Sequence, residues 1–278
     1  MKLTFGFASL FIVIAAIMSC NSPSSNQPRV ETEMKKPGLR EMDISYAGDS
    51  ITMNGYVAYD TSIDTKRPAI LVIPEWWGLN EYPKMRAREL AKLGYIAMAI
   101  DMYGNGLTTD SPSTAGKLAM PFYANPQMAK ARIDAALVAL RSYMQTDTSK
   151  IAAIGYCFGG GMALNAARLG ENFKGVVCFH GSLVGTPANK DLLKAKILVC
   201  HGADDPFVKK EEVDRFKKQM DSIQADYTFK AYPGAVHAFT NPKATEVGKQ
   251  FNIPIAYNAA ADSASWKDMQ EFLDRIFK

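Results

Sequence analysis

Histidine and cysteine are scarce in this sequence, and their scarcity narrows the chemistry that the chain can perform. Three histidines and four cysteines are spread over 278 residues, and they form no cluster with the spacing of a zinc or iron–sulfur site. A glycine-rich phosphate loop between a strand and a helix is also missing. We therefore expect a protein that needs neither a metal ion nor an organic cofactor.

The sequence also lacks a large excess of one charge. Its formal net charge is only +4, and its basic residues form no stripe interleaved with aromatic residues, which a nucleic-acid-binding surface needs. Nucleic acid is therefore not an expected partner.

Long apolar runs are absent except near the N-terminus. Residues 3–17 form an apolar run too short to span a membrane, with Lys2 before it and Cys20 shortly after it. A branched residue three positions before Cys20 and a small residue directly before it resemble a bacterial lipoprotein signal. Residues 1–20 are therefore predicted to be a lipoprotein signal peptide with Cys20 lipidated. The alternatives are an ordinary secretory signal and an uncleaved anchor.

Residues 21–40 are rich in polar residues and proline and have almost nothing to bury, which predicts a flexible tether. A lipid at its start would hold residues 41–278 at a membrane surface without crossing the membrane. The predicted location is the bacterial cell envelope, on the periplasmic or cell-surface side. A soluble secreted or periplasmic protein is the alternative.

Strand-like and helix-like segments alternate along residues 41–278, which is enough chain for one large domain. The alternating pattern of Met42–Tyr59 predicts an antiparallel edge hairpin, and the continuous apolar run Ala69–Ile73 indicates a strand buried on both faces. The other predicted strands are Tyr95–Ile100, Lys150–Gly155, Gly175–Phe179, Lys196–Cys200 and Tyr227–Tyr232. The predicted helices are Pro83–Leu93, Gln127–Met144, Phe158–Leu169, Lys209–Ile223 and Ala259–Phe277. This order predicts an α/β fold with a mainly parallel sheet of about eight strands flanked by helices.

The pentapeptide Gly155-Tyr156-Cys157-Phe158-Gly159 joins a predicted strand to a predicted helix. It has the form of a nucleophile elbow, with cysteine at the place of the usual serine. In such a turn Cys157 would be exposed at a helix N-terminus, where unpaired N–H groups and the helix dipole favour the thiolate. The alternative is a buried cysteine that only packs, and that role is expected for Cys178 and Cys200.

A cysteine nucleophile needs a base and a group that orients the base. In α/β-hydrolases the nucleophile comes first along the chain, the acid second and the histidine third. His237 is the only histidine that follows both Cys157 and the candidate acids. Asp204 and Asp205 are both candidates for the acid. His180 and His201 lie at strand ends, where a histidine more often fixes a turn.

The N–H groups of Phe158 and Trp76 would form the oxyanion hole in this architecture. Phe158 directly follows the nucleophile, and Trp76 lies in the loop after the third strand. The alternative for the Trp76 loop is a turn that two tryptophans anchor.

Five motifs in this order resemble the dienelactone hydrolase family, the carboxymethylenebutenolidase-like α/β-hydrolases. They are PEWWGLN at 74–80, DMYG at 101–104, GYCFGG at 155–160, GADDPFV at 202–208 and HAF at 237–239. The resemblance covers the chain from Met42 to its end and implies an α/β-hydrolase fold. The stretch from His180 to Lys196 is too short for the large lid domain that many α/β-hydrolases insert there.

The resemblance also implies a role for each matching residue. Cys157 corresponds to the nucleophile, Asp205 to the acid and His237 to the base. Glu75 corresponds to a glutamate that contacts the nucleophilic thiol and takes part in activating it when substrate binds.

Two positions depart from the family's pattern. The family binds a substrate carboxylate with two arginines, and this sequence has Asn105 and Asn241 in their places. An asparagine amide cannot replace a charge-assisted, bidentate contact. The expected substrate is therefore an uncharged ester or lactone, and not the acidic dienelactone.

Aromatic residues would wall the substrate pocket, although each could equally belong to the core. Besides Asn105 and Asn241, the expected pocket residues are Trp77, Tyr103, Phe122 and Tyr123, three of which lie in the long excursion 102–126. The predicted activity is hydrolysis of a small ester or lactone through a Cys-His-Asp triad and a thioester. The alternatives are an amide or peptide hydrolase and a non-catalytic binding module on the same fold.

Overall fold

The computed structural model describes residues 38–48 and 50–278, which lie within one compact unit. The predicted signal peptide, Cys20 and nearly all of the predicted tether lie outside the described residues. None of the helices in the described ranges is long and apolar enough to cross a membrane.

One eight-stranded sheet forms the centre of the described domain, in the order β1-β2-β4-β3-β5-β6-β7-β8. The strands are β1 (Leu39–Gly48), β2 (Ile51–Asp60), β3 (Arg67–Ile73), β4 (Ile96–Ala99), β5 (Thr146–Tyr156), β6 (Gly175–Phe179), β7 (Lys196–Gly202) and β8 (Tyr227–Tyr232). The β1–β2 and β2–β4 pairs are antiparallel and the other neighbours are parallel. The predicted α/β architecture and its antiparallel edge hairpin are confirmed.

Seven helices cover the two faces of the sheet within the described ranges. They are α1 (Glu81–Lys92), α2 (Pro112–Ala124), α3 (Pro126–Arg141), α4 (Phe158–Arg168), α5 (Lys210–Ser222), α6 (Ala244–Phe251) and α7 (Ala259–Phe277). Side chains of α2 to α5 pack into the apolar core on one face, and those of α1 and α7 pack on the other. Burial on both faces explains the continuous apolar runs of the central strands.

The sequence patterns did not predict α2 and α6. Helix α2 lies in the excursion 102–126, where Gly116 and the internal Pro121 weaken a helical pattern. Its start nevertheless has a recognisable signal, because the Ser111 side chain caps the Thr114 N–H and proline occupies the first turn. Helix α6 is only eight residues long, too short for a strong periodic signal.

Candidate active site

A strained turn at the carboxyl end of β5 presents Cys157. The strand ends at Tyr156, α4 begins at Phe158, and Cys157 between them has φ 52° and ψ −117°. The turn brings backbones together so closely that a Cβ on Gly155 would lie 2.1 Å from the Gly159 carbonyl oxygen. Only glycine fits at such an approach, so the two glycines are what allow a non-glycine residue to take the exposed position between them.

Cys157, His237 and Asp205 come from three different loops and lie in hydrogen-bonding contact with one another in that order. His237 Nε2 lies 3.0 Å from Cys157 Sγ, and His237 Nδ1 lies 2.8 Å from Asp205 Oδ2. Asp205 is buried and its other oxygen accepts the Phe207 N–H at 2.9 Å, whereas Asp204 is exposed. Of the two candidate acids, the structure therefore brings only Asp205 to the histidine.

The surroundings of His237 favour its charged form. Burial opposes protonation of the ring, but the adjacent Cys157 and Asp205 outweigh burial and raise the pKa of His237 to about 10. The edge of Phe207 packs against the same ring at 5.1 Å between centroids. Since an imidazolium donates from both nitrogens, the charged ring can donate to Asp205 Oδ2 and to Cys157 Sγ at the same time.

The other two described cysteines have a different environment. Cys178 and Cys200 are fully buried, and burial raises the pKa of the Cys178 thiol to about 12 and that of Cys200 above its ordinary value. All three described cysteines are free thiols, and only Cys157 is partly accessible.

The two expected oxyanion donors flank the nucleophile turn. Phe158 is the first residue of α4, so its N–H has no acceptor within the helix. Trp76 follows β3 in the neighbouring loop, and its carbonyl oxygen accepts a hydrogen bond from Tyr103 Oη at 2.8 Å. The Tyr103 ring also packs against Phe158 at 5.9 Å, so one aromatic side chain supports both donors.

Glu75 is a buried carboxyl group at the same edge of the sheet. Its Oε2 accepts a hydrogen bond from Asn241 Nδ2 at 2.7 Å. Burial raises the pKa of Glu75 to about 7, although the Asn241 hydrogen bond and the charge of His237 oppose this rise. Glu75 therefore changes its charge close to neutral pH.

We expect Glu75→Gln to stabilise the protein at alkaline pH. A pKa raised from 4.5 to about 7 means that this carboxyl favours the folded state below pH 4.5, and that this contribution is lost as the pH rises through 7. Glutamine does not ionise, so the variant should exceed wild type by about 3 kcal/mol at pH 9 and by much less at pH 5. Urea unfolding at the two pH values measures the difference.

Glu271→Gln, which changes an exposed glutamate of α7, is the control and should alter stability by less than about 0.5 kcal/mol. An equal effect of Glu75→Gln at both pH values would contradict the titration of Glu75 across neutrality.

A cavity of about 400 Å³ opens above Cys157. Its lining consists of the candidate catalytic side chains and mainly apolar neighbours: Glu75, Trp76, Trp77, Gly116, Ala119, Met120, Tyr123, Cys157, Ser182, Phe207, Val208, His237, Ala238, Ile253 and Ile255. This lining contains no lysine or arginine. No group of three or more His, Cys, Asp or Glu able to hold a metal ion occurs in the part of the chain that the structure describes.

The structure separates the expected pocket residues into two groups. Trp77 and Tyr123 line the cavity. Tyr103 and Phe122 pack behind Phe158 and do not line the cavity, because both rings are buried in the aromatic cluster with it. Their large apolar rings contribute more to the core than to a solvent-filled cavity.

The two asparagines at the expected arginine positions also lie outside the cavity lining. Asn105 is exposed in a turn with φ 54°, and its N–H donates to the Thr52 carbonyl at 2.7 Å. Asn241 lies behind Glu75, to which its amide is bonded, and borders a second cavity of about 400 Å³.

His180, for which the sequence indicated a turn-fixing role at a strand end, contacts the nucleophile turn. The Cys157 N–H donates to the Phe179 carbonyl oxygen at 2.9 Å and also to His180 Nδ1 at 3.1 Å, and His180 Nε2 lies 2.7 Å from Thr240 Oγ1. The available signal was its position directly after β6, the strand next to β5. His201, at the end of β7, packs against Phe229 instead.

Comparisons with known proteins point to one family. A family model described as the dienelactone hydrolase family matches residues 53–277. The solved structure of a dienelactone hydrolase-like promiscuous phosphotriesterase, P91 from metagenomic libraries, is similar with a TM-score of 0.81 and 33% identity, covering 87% of this chain and all of that one. A candidate carboxymethylenebutenolidase of Aquifex aeolicus is 30% identical over 210 residues, 73% of this chain and 89% of its own length.

More distant structures share the fold. An esterase of Thermogutta terrifontis, solved after reaction with tabun, is 15% identical with a TM-score of 0.57, and the match covers 85% of this chain and 94% of that one.

Proposed function

The chain belongs to the dienelactone hydrolase family, and on that premise we propose that it hydrolyses uncharged carboxylic esters or lactones with Cys157 as nucleophile. The observation that carries this proposal is the hydrogen-bonded row Asp205–His237–Cys157, with separations of 2.8 and 3.0 Å, at the cavity wall. Such a row supplies a nucleophile, a base and an orienting acid in one place.

In the first step, the proton is already on His237 and the Cys157 sulfur attacks the substrate carbonyl as the thiolate. The negative charge of the tetrahedral intermediate rests on the N–H groups of Phe158 and Trp76. Collapse of the intermediate breaks the C–O bond, and the alkoxide leaves with the proton that His237 held. For a lactone, the leaving oxygen stays attached to the acyl group.

In the second step, water attacks the thioester, with His237 as general base. Acylation removes the charge of Cys157, which is one of the causes of the raised pKa of His237. The pKa of His237 therefore falls in the acyl-enzyme, and the ring becomes able to take a proton from water. Sulfur then leaves as the thiolate, which regenerates the resting pair.

The two steps should show different pH dependences. We expect kcat/KM, which reports the free enzyme, to fall above about pH 10, where His237 loses its proton. By contrast, kcat should rise with pH through a lower pKa when deacylation limits the rate. Initial rates on an aryl ester across pH 6–11, corrected for spontaneous hydrolysis, measure both profiles, and a single common pKa would contradict this mechanism.

The lining of the cavity favours an uncharged substrate. It contains no lysine or arginine, and the buried Glu75 carboxyl would repel a substrate carboxylate once ionised. Asn105 and Asn241 stand where the family's arginines would contact such a carboxylate. A hydrogen bond to a charged partner is typically worth about 1.5–3 kcal/mol, so the loss of both arginines should cost an acidic substrate about 100-fold or more.

The test of this proposal compares neutral p-nitrophenyl esters and neutral lactones with a carboxylated dienelactone. We expect neutral compounds to be preferred in kcat/KM and an acyl group to be trapped on the Cys157 peptide by mass spectrometry after acid quenching. Equal rates on the carboxylated compound would contradict the substrate class. An acyl group on any other residue would contradict the assigned nucleophile.

An uncharged phosphotriester is a second candidate substrate. The similar structure P91 is described as a promiscuous phosphotriesterase, and a cavity without cationic side chains suits a neutral triester as well as a neutral ester. Thiolate attack at phosphorus would expel the aryloxide and leave a phosphorylated Cys157. Adding a neutral aryl phosphotriester to the same panel tests this candidate directly.

A further inference from the structure

His180 lies between the turn that holds Cys157 and the loop that follows His237. The residue is fully buried and has φ 40°. Because a backbone N–H can only donate, His180 Nδ1 must accept from Cys157, and in a neutral ring the proton is then on Nε2. Nε2 therefore donates to Thr240 Oγ1 at 2.7 Å, so one imidazole connects the two loops.

Thr240 is itself fixed on its far side by helix α1. Its hydroxyl lies 2.6 Å from Tyr82 Oη, and its carbonyl oxygen accepts from Arg86 Nη2 at 2.7 Å. Arg86 is in turn bonded to Asp262 of α7 at 2.5 Å. The loop after His237 is thus hydrogen-bonded to α1 and, through Arg86, connected to α7. His180 links the nucleophile turn to this loop.

The neutral state of His180 keeps the direction of these hydrogen bonds fixed. Burial lowers the pKa of His180 well below its usual range, and the neighbouring His237, 5.4 Å away between ring centroids, lowers it further. A second cation beside the His237 imidazolium would be unfavourable. His180 therefore does not compete with His237 for a proton.

Strained backbone occurs at one end of this connection and two residues before the other end. Cys157 has φ 52° and Ala238, directly after His237, has φ 58°. Non-glycine residues hold such conformations only where the surrounding structure fixes them. The Cys157 N–H, which donates to the Phe179 carbonyl oxygen and to His180 Nδ1, is one point at which the Cys157 conformation is fixed.

We propose that His180 is a positioning residue that sets the separation between Cys157 and His237 through its hydrogen bonds to Cys157 N–H and Thr240 Oγ1. The inference rests on the proposed function, because it takes Cys157 and His237 as nucleophile and base. A displacement of about 1 Å between reacting groups can reduce a rate about 100-fold. His180 acts on catalysis through this distance and does not contact the reacting atoms.

The test uses Thr240→Val, which removes the hydroxyl at nearly constant volume and leaves the His180 ring in place. We expect kcat on a neutral aryl ester to fall about 10- to 100-fold, with KM within about twofold of wild type. The pH profile of Cys157 alkylation by iodoacetamide should also shift, because it reports the thiolate without any catalytic turnover. Thr240→Ser keeps the hydroxyl and should restore both measurements.

Variants of His180 complete the test. His180→Asn keeps an acceptor near the Cys157 N–H and should retain more activity than His180→Phe, which removes both hydrogen bonds. The double variant His180→Phe/Thr240→Val should lose little more than His180→Phe alone, since both changes break one connection. His201→Phe, at the end of the next strand and packed on Phe229, is the control and should keep the kcat of wild type.

The proposal is wrong if folded Thr240→Val keeps the wild-type kcat and alkylation profile, or if only its melting temperature falls. Should His180→Phe fail to fold by circular dichroism, the Thr240→Val and Thr240→Ser pair decides alone. A protein that hydrolyses no ester would contradict the proposed function, but the alkylation profiles would still test the role of His180.

Discussion

Cys157→Ala should abolish ester hydrolysis, with a fall in kcat of about 10³- to 10⁶-fold. The side chain lies 3.0 Å from His237 Nε2 at the cavity wall, and no neighbouring thiol can replace it, because Cys178 and Cys200 are fully buried. Residual activity should come only from the oxyanion donors and from substrate binding. Steady-state rates on a neutral aryl ester, with melting curves to verify folding, measure the loss.

Cys200→Ala is the matched control, since it removes a thiol of the same chemistry from the core. It should lower stability by roughly 1 kcal/mol and leave kcat close to wild type. Of the three cysteines that the structure describes, iodoacetamide should label Cys157 alone. Full activity in Cys157→Ala, or equal slow labelling of all three thiols, would favour a non-catalytic binding module.

Gly159→Ala should cost the protein about 4 kcal/mol or more of its free energy of unfolding. A Cβ at this position would lie 2.3 Å from the Ile73 carbonyl oxygen and 2.5 Å from that of Pro74. Both contacts are with backbone, so relief requires α4 to move away from the end of β3, which would also displace Phe158 and the loop of Trp76. Urea unfolding and the soluble yield measure the effect.

Gly116→Ala provides the control within another helix. Nothing lies within 4 Å of a Cβ added at Gly116, and alanine favours a helix over glycine by about 1 kcal/mol. This variant should therefore be as stable as wild type or more stable. A Gly159→Ala protein within 1 kcal/mol of wild type would show that the turn can open without unfolding the domain.

The sequence predicted most of the sheet because buried parallel strands leave a strong pattern. Continuous apolar runs located β3, β6 and β7, and the alternating segment after Met42 located the β1–β2 hairpin. The pattern failed at α2 and α6, where glycine, proline and short length weaken the helical period. The excursion 102–126 was therefore expected as a wall of aromatic residues, whereas α2 supplies Tyr123 to the cavity and buries Phe122 in the core.

For the candidate site, the sequence by itself determined which residue types occur in which order. A cysteine elbow, an acidic loop and a late histidine, together with the family's motifs, selected Cys157, Asp205 and His237 and noted the missing arginines. These features are local in sequence, so a single chain displays them without coordinates.

Only the tertiary structure decided how these residues act on one another. The pKa of Glu75 depends on its burial and on Asn241, and the pKa of His237 depends on charges from two other loops. The connection through His180 joins the turn after β5, the residue that follows β6 and the loop after β8. Burial, distance and hydrogen-bond partners arise from packing between segments far apart in the chain. The order of residues along the chain therefore identified the candidate catalytic residues. Packing determined the pKa values of their side chains and the distances between them.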